Sequence, residues 1–303
     1  MSTELMNTKE VAKYLDIHEK QVYALIKAGK IPCTRVTGKW IFTAKLIDAW
    51  IQNSANDSLQ QARKKINQIE GAILAAGSND PVLDMLLTAS KRDHPSFNIF
   101  SANTGSVGGL QALNTGLTDI AFSHLLDPQS GDYNIPYLKQ YCPDHQPVVV
   151  NLFYRRIGFL IAKSRIDIFK GWESLSHKGI RFINRQKGSG TRILLDDELK
   201  NRAISSENIS GYDNEVYTHF EVGLALTSGE ADVGIASAAV AKIMDLDFQP
   251  LIDERFDMIL DKSTFFQPGI QAFIETLQSE SFKNRVKKIG NYSFQDAGKI
   301  LHS

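Results

Sequence analysis

From Gly71 onward, short apolar runs alternate with helical stretches, and this alternation constrains the fold more than any other feature of the sequence. The runs have the length and the bounding turns typical of strands, and they lie at residues 72–77, 97–102, 119–124, 148–153, 157–162, 180–184 and 232–237. Because helical stretches separate them, we expect parallel sheets with crossover helices. This region spans about 230 residues, which is large for one doubly wound sheet, so the pattern predicts an α/β domain of two lobes with a cleft between them.

The first 52 residues follow a different pattern and form a small unit of their own. Two short helical segments are joined by a tight turn at residues 16–18, and the second segment ends at Gly29. A basic hairpin with Gly38 in its turn and a closing helix at residues 44–52 complete the unit. Two helices followed by a basic hairpin predict a winged helix-turn-helix domain, whose second helix enters the major groove of DNA.

The charge distribution supports this function. The net charge of the 303-residue chain is zero, but no acidic residue occurs between Lys20 and Lys45, where basic residues are concentrated. A local basic patch is suited to phosphate contacts, and glutamine and lysine can read base edges. We therefore expect a double-stranded DNA operator as partner and eight contact residues on the second helix and the hairpin: His18, Lys20, Gln21, Tyr23, Lys27, Arg35, Thr37 and Lys39.

The domain boundaries follow from these patterns. Residues 1–52 form the DNA-binding domain, residues 53–69 are polar and are interpreted as a linker that can be helical, and residues 70–303 form the two-lobed domain. Within it, lobe I is predicted over residues 70–155 and 256–303, and lobe II over residues 156–255.

Composition excludes several classes of protein. Two distant cysteines, Cys33 and Cys142, argue against a disulfide framework and a structural zinc site. The first residues lack the apolar core of a signal peptide, and no apolar run approaches the length of a membrane span. We therefore expect a cytoplasmic protein that contacts no membrane and carries neither a metal nor a cofactor.

Three turns rich in glycine, serine and threonine follow strand candidates and precede helices. They lie at residues 76–81, 103–109 and 184–192, and the third has the sequence NRQKGSGTR. Helix N-termini attract anions through free N–H groups and the helix dipole. Glycine also lets the backbone approach a ligand closely. Three such turns predict a site that surrounds one small anion, whereas nucleotide-binding spacings such as GxxxxGK[ST] and GxGxxG do not occur there.

The candidate ligand residues lie in these turns and at other strand ends and helix starts. They are Gly77, Ser78, Asn79, Thr104, Gly105, Ser106, His124, Arg155, Gly188, Ser189, Gly190, Thr191, Arg192, Thr218, His219 and Ser237. Alternative roles stay open for some of them. Ser189 and Thr191 can cap a helix, and Arg192 can pair with Asp196 one turn away. His124 can be a buried core histidine, and Arg155 can form a salt bridge between the lobes.

Two resemblances to known families add to this interpretation. The stretch NTKEVAKYLDIHEKQVYALIKAGKIPCTRVTGKWIFTAKLIDAWI resembles the excisionase/MerR-type helix-turn-helix family, which implies DNA binding. The chain from about residue 70 to residue 300 resembles the periplasmic-binding-protein-like domain that is found fused to such DNA-binding domains. Five segments carry the second resemblance: AAGSNDPVLDMLL, SHLLDPQSGDYN, RRIGFLIA, FINRQKGSGTRILLD and GEADVGIASAA.

The second resemblance implies a two-lobed type II binding-protein fold with the ligand in the cleft. The related solute receptors include those for molybdate and tungstate, and the turns around Ser78 and at residues 188–191 look similar to the tungstate receptor's binding turns. One departure is that Ser78-Asn79 stands where those receptors have a run richer in serine and threonine.

The sequence therefore predicts a transcriptional regulator that acts as a homodimer and senses a small anion, with molybdate or tungstate implied by the resemblance. We expect no enzymatic activity and no catalytic residue, because no HExxH or CxxC motif and no Ser/His/Asp order is present. One alternative is a sensor of a small organic anion. Others are an oxyanion carrier of molybdenum-cofactor assembly and a nucleoid-associated or recombination accessory protein whose C-terminal unit serves only for assembly.

Overall fold

The computed structural model describes residues 5–15, 17–50, 72–143 and 145–303. The chain divides into two units, Met1–Ile69 and Glu70–Ser303. The linker expected at residues 53–69 lies outside the described residues. Among the helices in the described ranges, none is both long and apolar enough to cross a membrane.

The first unit combines short helices with a small antiparallel sheet. Its elements are β1 (Leu5–Met6), α1 (Thr8–Tyr14), α2 (Glu19–Lys27), β2 (Thr34–Val36), β3 (Lys39–Thr43) and a helix, α3, over residues 44–50. Strand β3 lies between β1 and β2. Asn7 caps α1, because its Oδ1 accepts hydrogen bonds from the N–H groups of Lys9 and Glu10. A small core holds the unit together and contains Val11, Ala12, Val22, Ile31, Phe42 and Ile47.

The second unit is built on one mixed sheet, in which ten strands of the described residues are joined. The strands are β4 (Ala72–Gly77), β5 (Asn98–Asn103), β6 (Ile120–Ser123), β7 (Pro147–Ile161), β8 (Phe182–Arg185), β9 (Glu215–Val216), β10 (Val233–Ser237), β11 (Asp247–Asp261), β12 (Tyr292–Ser293) and β13 (Ile300–His302). Their order is β5-β4-β6-β11-β7-β10-β8-β9, and β12 and β13 also pair with β7.

Helices cover this sheet and connect its strands. They are α4 (Pro81–Asp93), α5 (Gly105–Asn114), α6 (Ile135–Tyr141), α7 (Gly190–Asn201), α8 (His219–Thr227), α9 (Ala238–Ile243), α10 (Lys262–Phe265), α11 (Pro268–Gln278) and α12 (Glu280–Lys287). Short 3₁₀ helices lie at Lys163–Arg165, Trp172–Ser176 and Ser206–Asn208.

Two long antiparallel strands, β7 and β11, tie the lobes together. One half of β11 pairs with β6 and one half of β7 pairs with β10, so each long strand runs through both lobes. In lobe I, β4 is parallel to β5 and β6, and in lobe II, β8 is parallel to β9 and β10. Each half has its own apolar core. Representative core residues are Leu86, Phe122, Phe153, Phe256 and Phe273 in lobe I, and Phe159, Phe182, Leu195 and Ile235 in lobe II.

The sheet differs in two ways from what the sequence suggests. The runs at residues 148–153 and 157–162, expected as separate strands, form the single strand β7, because the polar residues between them continue the alternation of a strand. The sequence does not predict strand β11, since Pro250 and several charged residues hide its pattern. The sheet is therefore mixed, with antiparallel strands at its centre, and not purely parallel.

A substitution at the end of β4 tests how tightly the first turn is built. Gly77 has φ 133°, and an added Cβ would overlap the carbonyl oxygen of Phe122. We expect Gly77→Ala to lower the free energy of unfolding by about 3 kcal/mol through backbone strain and overpacking. Gly229 has φ 76° with open space around it, so Gly229→Ala should cost only about 1 kcal/mol. Urea denaturation measures both, and equal losses would show that the Phe122 contact does not constrain the turn.

Candidate functional site

The two lobes touch where the glycine-rich turns meet. The N–H of Val107, in the first turn of α5, donates to the carbonyl of Gly188 in lobe II at 3.1 Å. Gly190, the first residue of α7, packs against the ring of His124, and a Cβ at this position would lie 2.9 Å from the carbonyl oxygen of His124. The structure therefore holds the lobes closed on each other at this edge.

In lobe I, the first two turns are joined by hydrogen bonds between buried groups. The hydroxyl oxygens of Ser78 and Ser106 are 2.7 Å apart. The hydroxyl of Ser106 also accepts the N–H of His124 at 3.2 Å. Nδ1 of His124 lies 2.7 Å from Oε1 of Glu254, and because an ionised carboxylate only accepts, Nδ1 carries the proton of this bond. Burial lowers the pKa of His124 even though Glu254 opposes this effect.

Arg155 is the centre of a buried ion-pair network that joins lobe I to Glu254 on β11. Its Nη1 donates to Oδ2 of Asp80 at 2.7 Å, and its Nε donates to Oε2 of Glu254 at 2.9 Å. The third guanidinium nitrogen, Nη2, lies 2.8 Å from the same Glu254 oxygen. Burial lowers the pKa of Arg155, but the carboxylates of Glu254 and Asp80 raise it by more, so this pKa lies above the ordinary value. Arg155 thus neutralises Asp80 and Glu254, and its Nη2 makes the ion pair with Glu254 but no hydrogen bond within the described residues.

Glu254 owes its position to strand alternation. It faces the interior from β11, whereas its neighbour Asp253 faces outward and pairs with the exposed Arg156. Burial alone would raise the pKa of Glu254, yet the contacts with His124 and Arg155 keep it below the ordinary value. A shift of one residue on both long strands therefore separates the exposed pair, Arg156 with Asp253, from the buried pair, Arg155 with Glu254.

Lobe II supplies buried polar groups that lack a partner. Arg185 ends β8, is 2% exposed, and donates through Nη2 to the carbonyl of Tyr217 at 2.7 Å. Its Nη1 is buried without a hydrogen-bond partner among the described residues. Burial and the nearby Arg155 lower the pKa of Arg185 to about 9. A guanidinium that remains charged at neutral pH with a free donor favours an anion beside it.

Three further groups share this property. Nε2 of Gln186, Oγ1 of Thr191 and both ring nitrogens of His219 are buried and, within the part of the chain that the structure describes, have no hydrogen-bond partner. His219 is fully buried, and burial together with Arg185 holds its pKa well below the ordinary value, so the ring is neutral. We call Arg185, Gln186, Thr191 and His219 the donor cluster.

The donor cluster and the Arg155 network adjoin each other. The charge of Arg155 and the ring of His124 both act on His219. Gly190, which precedes Thr191, contacts His124. Buried polar groups are normally satisfied, and an exception needs an explanation such as a bound ligand. The closed cleft therefore has the composition of an anion-binding site.

The other predicted ligand residues have different positions. Ser189 caps α7, since its Oγ accepts the N–H of Arg192 at 3.2 Å. Thr218 caps α8 and bonds to Glu221. Asn79 donates its side-chain amide to Asp84, and its carbonyl accepts from Arg155.

Gly105 and Gly188 form the contact between the lobes, and Ser237 is buried next to Tyr292. Thr104 is exposed.

Arg192 does not join the cluster. Its Nε donates to Asp196 at 3.0 Å, its Nη1 donates to Glu215 at 2.8 Å, and its guanidinium lies 4.4 Å from the ring centre of Tyr212. Arg192 therefore forms the pairing with Asp196, one helical turn away, that the sequence offered as the alternative to ligand contact.

The sequence interpretation missed several polar residues of the cleft: Asp80, Tyr133, Arg185, Gln186 and Glu254. Tyr133 has a buried hydroxyl without a hydrogen-bond partner among the described residues, and the charge of Glu254 acts on it. One signal could have found Arg185, which ends β8 just as Gly77 ends β4. Ligand residues in such folds gather at the carboxyl ends of strands.

In the first unit, the eight residues predicted to contact DNA are all exposed. His18 precedes α2, and its N–H donates to Oε1 of Gln21 at 2.9 Å, so part of this glutamine side chain serves as a helix cap. Thr37 and Gly38 have φ of 48° and 85°, which is the geometry of a tight hairpin turn. Arg35 stacks over Trp40, 5.5 Å from the ring centre. The hairpin therefore presents a positioned cation.

Together, these features define a two-lobed binding domain that follows a small helix-turn-helix unit. Comparisons with known families agree. A family model described as the PBP superfamily domain matches residues 87–278, and one described as a helix-turn-helix domain matches residues 5–55. The chain belongs to the PBP superfamily domain family. Its two domains are of the DNA-binding and substrate-binding types, and this combination fits a ligand-sensing DNA-binding regulator.

Individual relatives extend the comparison. YvgK of Bacillus subtilis, an uncharacterized protein, is 29% identical over 309 aligned residues, which cover 99% of this chain and 98% of YvgK. A substrate-binding protein of Clostridium perfringens, solved with bound phosphate, has a TM-score of 0.54 at 17% identity and covers 72% of this chain and 97% of its own. A tungstate ABC transporter structure from Geobacter sulfurreducens has a TM-score of 0.53 at 15% identity, covering 72% and 99%. At these identities the two solved structures establish the fold alone.

Adjacent arginines on β7 test the ion-pair network. Arg155→Met leaves Glu254 and Asp80 buried without their cation, and we expect a loss of about 3–5 kcal/mol in the free energy of unfolding. Arg156→Met removes an exposed pair with Asp253 and should cost at most about 1 kcal/mol. Guanidinium denaturation of both variants checks this difference. Similar small losses would mean that Asp80 and Glu254 are hydrated in solution.

Proposed function

We propose that this chain is a cytoplasmic transcriptional regulator that binds a double-stranded DNA operator and senses a small oxyanion, molybdate or tungstate, between its lobes. The observation that carries the proposal is the donor cluster, which leaves buried donors unpaired in a closed cleft. An unpaired buried polar group costs about 1–3 kcal/mol. A ligand rich in acceptors removes this cost at several positions at once.

The chemistry of the cleft favours an anion of small size. The free donors include a guanidinium N–H of Arg185 and the hydroxyl of Thr191, and α5 and α7 begin at the contact between the lobes with their positive dipole ends. Because Val107 and Gly188 already touch, a compact ligand suits this closed arrangement better than a long one. Proteins of the same fold include one solved with bound phosphate and a tungstate transporter.

A small organic anion is the second candidate, and Arg185 is the observation that favours it. A guanidinium can bind a carboxylate with two parallel hydrogen bonds, so a short carboxylic acid could occupy the same donors. An oxyanion carrier of molybdenum-cofactor assembly does not account for the helix-turn-helix domain.

Regulation depends on lobe closure in this proposal. The ligand stabilises the closed lobes, and closure changes the operator affinity of residues 1–52 through the segment at residues 53–69 in a homodimer. The eight exposed residues, His18 just before α2 and the others on α2 and the hairpin, make the DNA contacts. The proposed lobes are residues 70–155 with 256–303, and residues 156–255.

A thermal-shift series on the full-length protein tests the ligand. Tungstate, molybdate, sulfate, phosphate and succinate are compared, and we expect the largest increase in Tm with tungstate or molybdate. A ligand at one hundred times its Kd stabilises by about 2.7 kcal/mol. Arg185→Gln and Thr191→Val should each weaken binding about tenfold or more, because each removes a donor worth at least about 1.4 kcal/mol.

Arg192→Gln is the matched control, since this neighbouring arginine is bound to Asp196 and Glu215. The affinity of the Arg192→Gln variant for the ligand should stay within about threefold of that of the wild type. If Arg192→Gln abolishes binding while Arg185→Gln does not, the assignment of the site is wrong. A shift with succinate alone would favour the organic anion.

A glycine substitution tests whether closure controls DNA binding. An operator is selected from random duplexes, and its affinity is measured with and without the ligand. A methyl group at Gly190 would clash with His124, so Gly190→Ala should keep DNA affinity but lose the change that the ligand causes. Gly229→Ala, on an open surface of the same lobe, should respond as the wild type does. A normal ligand response of Gly190→Ala would contradict the closure model.

A further inference from the structure

His219 is the member of the donor cluster whose hydrogen-bonding capacity changes with its protonation state. It is fully buried in the first turn of α8, and neither ring nitrogen has a hydrogen-bond partner among the described residues. A neutral imidazole has one N–H donor and one lone pair, so it requires one acceptor and one donor from its surroundings. The role of this ring rests on the proposed function, in which the oxyanion fills the space beside it.

Molybdate and tungstate carry no proton at neutral pH and therefore offer acceptors only. If His219 stayed neutral, one of its nitrogens would direct a lone pair at an anionic oxygen or stay unpaired, and either arrangement costs free energy. With protons on both nitrogens, the ring can donate two hydrogen bonds, and bonds from a charged donor to an anion are the strong ones. The ligand thus favours the protonated ring.

The charges around the ring lead to the same conclusion. Charged and titratable groups act on His219 or on its neighbours from six places in the fold: Arg155 on β7, Arg185 on β8, His124 after β6, Glu254 on β11, Asp80 before α4 and Glu221 on α8. The two buried guanidinium groups are matched by two buried carboxylates, those of Asp80 and Glu254. A bound dianion therefore adds negative charge that these groups do not compensate. The N-termini of α5, α7 and α8 offset part of it.

We propose that His219 takes up a proton when the oxyanion binds, so that the protein responds to pH as well as to ligand concentration. In the free protein, burial and the guanidinium groups hold the pKa of His219 well below its ordinary value. The bound dianion raises it. Because the complex holds one proton more than the free protein, affinity increases as the pH falls, by at most tenfold per pH unit, the limit for one linked proton.

Calorimetry of tungstate binding to the full-length protein tests this coupling. Titrations at pH 7 in PIPES and in Tris, which differ in their heats of ionisation, count the protons taken up. We expect uptake approaching one proton per site and a Kd that tightens as the pH is lowered from 8.5 to 6.5. His219→Asn keeps an amide donor and acceptor but does not titrate, so its heat should not depend on the buffer and its Kd should stay flat. His302→Asn changes an exposed histidine on β13 and should behave as the wild type.

Three outcomes would overturn the inference. Tight tungstate binding without a buffer-dependent heat means that no proton is taken up. Uptake that persists in His219→Asn assigns the proton to another group, and His124, which acts on the pKa of His219, is then tested in the same way. His219→Gln repeats the test if the asparagine variant does not fold. Absence of binding for tungstate and molybdate alike would instead refute the proposed function, and the coupling with it.

Discussion

The ion pairs of the buried Arg155 guanidinium are the interactions on which the site depends. The partners of Arg155 come from two distant segments: Asp80 in the first turn, and Glu254 on β11. Asp80 also caps α4 through the N–H of Val82, and Glu254 orients the ring of His124. One cation therefore fixes a helix start, a strand and a histidine at the same time. Burial of three charges is costly, so the geometry of this network constrains the site more than it adds to stability.

The buried polar groups around the cleft fall into two sets. The groups around Arg155 and Ser106 bond to each other. The donor cluster leaves polar atoms unpaired in the closed cleft, as does the hydroxyl of Tyr133. The first set is therefore preorganised, and a ligand that bridges the cleft gains mainly from the second set.

Much of the architecture can be predicted from the sequence, and the gaps have physical causes. The strands before the glycine-rich turns are predictable because apolar runs that end in glycine are a local signal. Strand β11 is not predictable in this way. Its charged residues adopt a strand because they pair with β7, which is distant in the sequence, and a short stretch of sequence contains no signal of that pairing. Glu254 looks like part of a solvated acidic pair for the same reason, since only the register with β7 places it inside.

Arg185 and Arg192 show the limit of motif-based prediction within the site. Both flank the same glycine-rich turn, and the motif favours Arg192 because it lies inside the GSGTR sequence. On a helix, however, the direction of a side chain is set by its angular position. That position points Arg192 to Asp196, one turn further along the helix. Arg185 ends a parallel strand, where the chain direction carries its side chain to the edge at which the lobes meet.

The unpaired donors also determine how such a domain can work as a switch. In an open form, water would solvate the donor cluster, whereas the closed form leaves at least one polar atom of each group unpaired, at a cost of about 1–3 kcal/mol for each atom. Without ligand this cost opposes closure, and the contact of Val107 with Gly188 is a single hydrogen bond worth about 1 kcal/mol. A ligand that satisfies the cluster removes the cost only in the closed form. Its differential affinity for the two forms, which is the quantity that shifts a conformational equilibrium, therefore comes from the same buried atoms that recognise it.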